Sequence, residues 1–498
     1  MNVNPITRLD YPDLDVIRVE DTYYMVSTTM HFMPGCEILQ SFDLVHWEHV
    51  TYVYETLDHT DAQQLKSGQN IYGQGMWAAS LRYHEGRFYI CFVANDTRKT
   101  YLYTSEKIDG PWKKQLIEGF YHDGSLLFDE DGRNYIVYGN DEIWITELNE
   151  DLTAPKKDGL HRLLVSDHKN PELGYEGSHI QKINGYYYIF LVHSLRDRWM
   201  RTEACFYSDS LEGEFTGGDV LCDDRGYCGQ GVAQGGIVDT PDGKWYAMLF
   251  QDSGAVGRIP ILLPVTWKNH FPFFGQNGHV PEEIEVHSTR PGYIYQPLVG
   301  SDDFCNGLLP RWQFNHDPDP RYYHLDALQG TYTITTREVC TELTQAVNTL
   351  TQRMSYPSCA AEVTVDASAL KEGDVAGLCA LQSCYAAVGI TKHHGKYEVL
   401  MLDKKEDGIL DMTEGTVVES HQMDFRLEAD FCNMKDEARC YYRVNKGDWL
   451  PIGTVHKLYF KLDHFTGCRF GLFCYAAEET GGSACFRDFK YYDVDEIS

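Results

Sequence analysis

The chain has 498 residues, 43% of them hydrophobic and 13% aromatic, a length that calls for more than one core and a composition that excludes disorder. Its 74 acidic against 43 basic residues give a formal net charge of −31, a field that repels phosphate backbones and anionic bilayers, so neither nucleic acid nor membrane is expected as a partner. Fifteen cysteines without metal-ligand spacing, a start lacking leader character and no run of membrane-spanning length point to a reducing, cytoplasmic compartment.

Over the first three fifths of the chain one hairpin recurs: a strand-like run, a polar turn, then an aromatic-rich strand. The copies are Val16–Val26, Leu81–Cys91, Ser125–Val137, His179–Ile189 and Gly236–Met248. Four carry glycine at the turn (Gly86, Gly132, Gly185, Gly243), as the positive φ of tight hairpins requires, and each keeps a tyrosine in the same place: Tyr24, Tyr89, Tyr135, Tyr188 and Tyr246. A second element follows, as Ser41–Trp47, Ser105–Trp112, Glu147–Leu152 and Ser208–Phe215, with Leu263–Trp267 as the fifth counterpart; it is expected to end an outer strand pair. Strands and turns at this period, with no helical periodicity, predict a five-bladed β-propeller over residues 1–295.

Near Ser288–Asp303 the repeat stops, and Pro291, Gly292, Pro297 and Gly300 mark a connection. Beyond it, Thr331–Thr335, Ala360–Val365, Tyr397–Met401, Lys457–Leu462 and Phe470–Tyr475 read as short strands between turns. They predict a β-sandwich over 302–498, so the whole chain is all-β.

Inner strands of a propeller begin beside the central tunnel, and three acids stand where such strands begin. Asp13 lies in Tyr-Pro-Asp before the first, Asp123 in His-Asp-Gly-Ser before the third, and Glu176 in Tyr-Glu-Gly-Ser-His before the fourth. A single aspartate here would more often cap a turn. Three at matching positions supply what glycoside hydrolysis needs: a protonated acid for the leaving oxygen and a carboxylate for the water.

At these residues the sequence resembles glycoside hydrolase family 43, the five-bladed propeller enzymes that include β-xylosidases and α-L-arabinofuranosidases. The resemblance implies that Asp13 is the general base, that Glu176 is the general acid and that Asp123 orients Glu176. Gly124 and Ser178 stand where the family's motifs carry proline. It further implies sugar contacts from Arg258 (in Gly254–Ile259), Trp77 (in Gly-Met-Trp-Ala) and Phe32, with His31 beside it. Many members hold calcium in the tunnel through a histidine, and Gln234 stands at that place. The second domain resembles the sandwich of the longer β-xylosidase branch, which walls off part of the active site and favours exo action. Asp303, after Asp302, and Asp488 near the other end would meet on adjacent strands as a structural calcium site.

No cofactor is required by this chemistry. The expected activity is inverting release of terminal xylose from xylooligosaccharides. An α-L-arabinofuranosidase or a dual enzyme stands close behind, and a non-catalytic sugar-binding propeller is a third reading. The substrate class is a pentose oligosaccharide, and homo-oligomerisation is left open.

Overall fold

The computed structural model describes residues 2–167 and 169–493, so the first residue of the expected propeller domain and the last five of the sandwich domain lie outside the described residues. Five antiparallel four-stranded sheets follow one another along the chain. Their innermost strands are Asp15–Val19, Met76–His84, Ser125–Phe128, Glu176–Ile183 and Val232–Asp239. Each recurring hairpin is the inner pair of one blade. The turns Glu85-Gly86 and Asn184-Gly185 carry positive φ at both positions, 47° and 79° in one, 50° and 85° in the other, which matches the twist of the strands they join. The first blade has no glycine there, and Glu20 takes φ 56° instead.

One apolar cluster fills each gap between neighbouring blades, and the recurring tyrosine belongs to the gap ahead of it. Tyr24 packs between blades one and two, Tyr89 between two and three, Tyr135 between three and four, and Tyr188 between four and five. Tyr246 joins Val16, Met25 and Leu39 between the last blade and the first. The ring is thus closed by side-chain packing, assisted at its rim by a short pairing of Asn2–Val3 with Glu283–Ile284. The second recurring element is the turn from the third to the fourth strand of each blade. Leu263–Trp267 departs from this: it lies inside the strand Arg258–Lys268, and the corresponding turn falls at Asn269-His270. Its apolar alternation serves the core between blades four and five.

The second half forms two packed sheets of nine and seven strands over one large core. The expected strand Lys457–Leu462 is not one. The strand Leu450–Lys457 ends where that segment begins, and the chain then leaves as a loop toward the propeller. Its apolar residues serve the second half itself: Leu458 is buried in the large core, and Phe460 packs against Phe465. The nine-stranded sheet also recruits an outsider: Phe32–Met33, from a loop of blade one, pairs with Gln313–Asn315 at its edge. A buried ion pair, Arg353 to Glu37 at 2.9 Å, lies beside this seam, and Arg353 Nε donates to the Asp10 carbonyl at 2.9 Å.

Down the propeller axis lies Arg82. Its Nη1 donates to Asp15 Oδ2 at 2.7 Å, its Nη2 to Ser125 Oγ at 2.7 Å and the Ile180 carbonyl at 3.1 Å, and its Nε to the Leu126 carbonyl at 2.8 Å. A guanidinium has five N–H donors in a planar fork, which suits a site surrounded by strands. His179 Nδ1 lies 3.1 Å from the other oxygen of Asp15. Burial pushes the Asp15 carboxyl upward, but the charges of Arg82 and His179 outweigh it and hold the group at about 2.

Arg82→Met leaves Asp15 buried without its cation, and an unfolding free energy lower by about 3 kcal/mol is expected, read as a reduced urea midpoint. The Asp15 contribution is present above about pH 4 and is lost as the pH falls toward 2, so the wild type loses more stability than the variant across that window.

Candidate active site

The loops that feed the inner strands turn sharply at the tunnel mouth. Asp13 and Asp123 adopt φ 51° and 48°, Gly177 and Gln234 both 65°. These are left-handed values that aspartate tolerates better than most residues and that cluster where side chains must be aimed. Three inner strands also carry a β-bulge at this end, between Met76 and Ala79, Glu176 and His179, and Ala233 and Gly236. An extra residue bends the strand and redirects its side chains. Trp77, Glu176 and Gln234 lie at these bulges.

The three acids meet. Asp13 is held by donors on both oxygens: Gln234 Nε2 and Arg258 Nη1, each at 2.9 Å from Oδ1, and Thr28 Oγ1 at 2.8 Å from Oδ2. Asp123 Oδ2 accepts the Gly177 amide at 3.0 Å, which ties it to the residue after Glu176. Glu176 Oε2 accepts Asn140 Nδ2 at 2.7 Å. His122, Asp123 and Glu176 bring polar atoms within 4.8 Å of one another. Burial raises the Asp123 carboxyl; His122 opposes this, and the Glu176 and Asp13 charges add to it. A β-carbon at Gly177 would stand 2.7 Å from Gln234 Cγ, so glycine there lets the Asp13 and Glu176 sides approach.

Arg258 is 2% exposed, and its guanidinium lies 4.5 Å from the ring of Phe465, which the sandwich loop delivers to the mouth. Phe465 also packs against Trp77, with ring centroids 5.7 Å apart. Asp10 joins the two halves of this wall: Oδ1 accepts the Arg258 amide at 2.7 Å and Oδ2 the Gly467 amide at 2.8 Å. Next to Arg258, Arg201 is bonded at 2.8 Å to Asp252, the strand partner of Arg258, and the charges of Glu176 and Asp13 reach it.

Other expected site residues are placed differently. Phe32 and His31 are 0% exposed. Phe32 lies under the Arg469 guanidinium at 3.5 Å, and His31 is enclosed by the rings of Phe32, Tyr72, His316 and His464, so both face the seam between the domains rather than open space. The Gln234 amide nitrogen is turned to Asp13, its backbone N–H donates to the buried Glu203 at 2.7 Å, and the axis beneath is occupied by a protein cation, Arg82. That donor set does not fit a tunnel calcium, which takes oxygen ligands. Asp302 does meet Phe489 across strands, but its oxygens accept the Phe304 amide and the Trp312 indole, and Asp303 accepts the Cys305 amide. Among the described residues, Asp303 and Asp488 are not gathered with a third metal-ligating side chain. Sequence reading missed Phe465, Asp10, Asn140, Arg201 and Thr28. None sits in a hairpin motif, and Phe465 lies three residues beyond Lys457–Leu462, the segment expected as a strand.

With this geometry in view, the comparisons with known proteins are decisive. The model of "Glycosyl hydrolases family 43" matches residues 3–272, and that of the "Beta xylosidase C-terminal Concanavalin A-like domain" matches 301–492. The chain belongs to glycoside hydrolase family 43. It is 26% identical to a beta-xylosidase of Formosa agariphila over 99% of this chain and 89% of that protein. It is 25% identical to a xylosidase/arabinosidase of Humicola insolens over 98% and 96%. Among solved structures, a bifunctional GH43-CE protein of Bacteroides eggerthii superposes with a TM-score of 0.92 at 41% identity, over 99% of this chain; the chain spans 64% of that longer protein. This family 43 protein is therefore a glycoside hydrolase acting on carbohydrate, and no helix among its described residues is long and apolar enough to cross a membrane.

Removing the aromatic wall tests its part in binding. Phe465→Ala is expected to lower kcat/KM on small aryl glycosides about tenfold, equivalent to about 1.4 kcal/mol, mostly through KM, with little change in Tm. Steady-state kinetics and thermal unfolding check this.

Proposed function

We propose that this chain is an inverting exo-β-1,4-xylosidase in which Glu176 is the general acid, Asp13 the general base and Asp123 the residue that orients Glu176. The observation that supports this assignment of roles is the unequal surroundings of the carboxylates. Asp13 receives three donors, Arg258 among them, an arrangement suited to a group that accepts a proton from water. Glu176 receives one neutral donor, Asn140, and faces the Asp123–His122 pair, an arrangement suited to a group that carries a proton. Glu176 protonates the glycosidic oxygen as the C–O bond breaks. Asp13 takes a proton from water as that water attacks the anomeric carbon from the opposite face. The Phe465–Trp77 wall narrows one side of the mouth and favours a chain end over an internal unit.

The second reading is α-L-arabinofuranosidase or dual action, favoured by the xylosidase/arabinosidase of Humicola insolens, which matches nearly the full chain. Parallel assays on aryl β-xyloside and aryl α-L-arabinofuranoside decide between them. Asp13→Asn and Glu176→Gln are each expected to lower kcat on an unactivated pentoside about 100-fold or more. An NMR time course is expected to show the inverted anomer first; the retained anomer appearing first would overturn the mechanism.

A further inference from the structure

His122 enters the reading above only as a neighbour of Glu176, yet its ring stands between two of the three acids. Nε2 lies 3.4 Å from Asp123 Oδ2 and 3.6 Å from Glu176 Oε2. That nitrogen is buried and has no hydrogen-bond partner of its own. The ring is kept there from two sides: Trp77 packs edge-on at 5.8 Å, and the His122 carbonyl accepts the Gly139 amide at 3.0 Å, one residue from the Asn140 that donates to Glu176.

We infer that His122 is a positioning residue that stores the proton Glu176 delivers, so that the working acid is the His122–Glu176 couple rather than Glu176 alone. This rests on the reading of Glu176 as the acid. In the resting site the proton sits on Nε2, where the Asp123 and Glu176 carboxylates and, further off, Asp13 all favour it. The cations nearby are engaged elsewhere, Arg258 with Asp13 and Arg201 with Asp252. Burial opposes charging the imidazole, but these carboxylates outweigh it and push the group up to about 9. On substrate binding the proton passes from Nε2 to Glu176 Oε2, leaving neutral imidazole and a carboxylic acid. Glu176 then gives it to the glycosidic oxygen, which keeps the electron pair of the broken bond. Asp13 later releases the proton it took from water, and His122 regains one from solvent. Protons that interact this closely titrate as a group.

The test uses the full chain, with His122→Asn and His122→Gln, on two glycosides of whichever pentose the wild type cleaves. One has a dinitrophenolate leaving group, which departs without an acid; the other is the unactivated disaccharide. Each His122 variant is expected to lose at least about ten times more activity on the disaccharide than on the activated glycoside, and its basic limb on the disaccharide to move down by about 1–2 pH units. In Glu176→Gln the imidazole of His122, followed by NMR, is expected to titrate at lower pH than in the wild type. Equal losses on the two substrates, or a basic limb that stays in place or moves up, would overturn the role of His122. Glu176→Gln separates the two readings: if it shows no dependence on the leaving group, the assignment of the acid fails; if it shows one and the His122 variants do not, the storage role alone fails.

Discussion

Five inner strands arranged around an axis leave a channel lined by backbone carbonyls and polar side chains that need partners. Arg82 answers that need. Its contacts are not spread at random: Asp15 and Ser125 open the inner strands that Asp13 and Asp123 lead into, each two residues further on, and Ile180 lies four residues after Glu176 on the same strand. One guanidinium thus fixes the relative height of the three strands whose upper ends carry the carboxylates. The site is precise because its supports are buried, charge-assisted and shared between blades.

Above that plug, the geometry is produced by irregularity. Regular strands alternate their side chains in and out, and a regular sheet edge would send some of these residues into the gaps between blades. Left-handed turns at Asp13 and Asp123 and bulges beside Trp77, Glu176 and Gln234 re-aim them to the mouth. The sandwich adds Phe465, anchored through Gly467 to the same Asp10 that holds the Arg258 amide. Asp10 thus ties the two domains together at the wall of the mouth.

These features explain what was legible in the sequence. Hairpin periodicity with its glycines and tyrosines declares the blades, because each tyrosine has the same task in its own gap. The carboxylates are visible because they sit at equivalent starts of inner strands. Phe465 and Asp10 are not, since their neighbours are hundreds of residues away and no local pattern records that distance. Phe32 and His31 mislead for a related reason: next to a motif in sequence, they belong in space to a strand of the other domain. Gln234 looked like a substitute for a metal-binding histidine, but its amide nitrogen completes the surroundings of Asp13.

The pairing of Phe32–Met33 with Gln313–Asn315 has a bearing on how this protein comes into being. As the ribosome extrudes the chain, blade one emerges with that loop one neighbour short, and the neighbour is not made until the whole ring has been synthesised. A contact of such long sequence separation forms late, after shorter-range hairpins have already gained their order. The propeller can assemble blade by blade, but its first loop is finished by the last-made half. Each half thus completes a surface that the other leaves open.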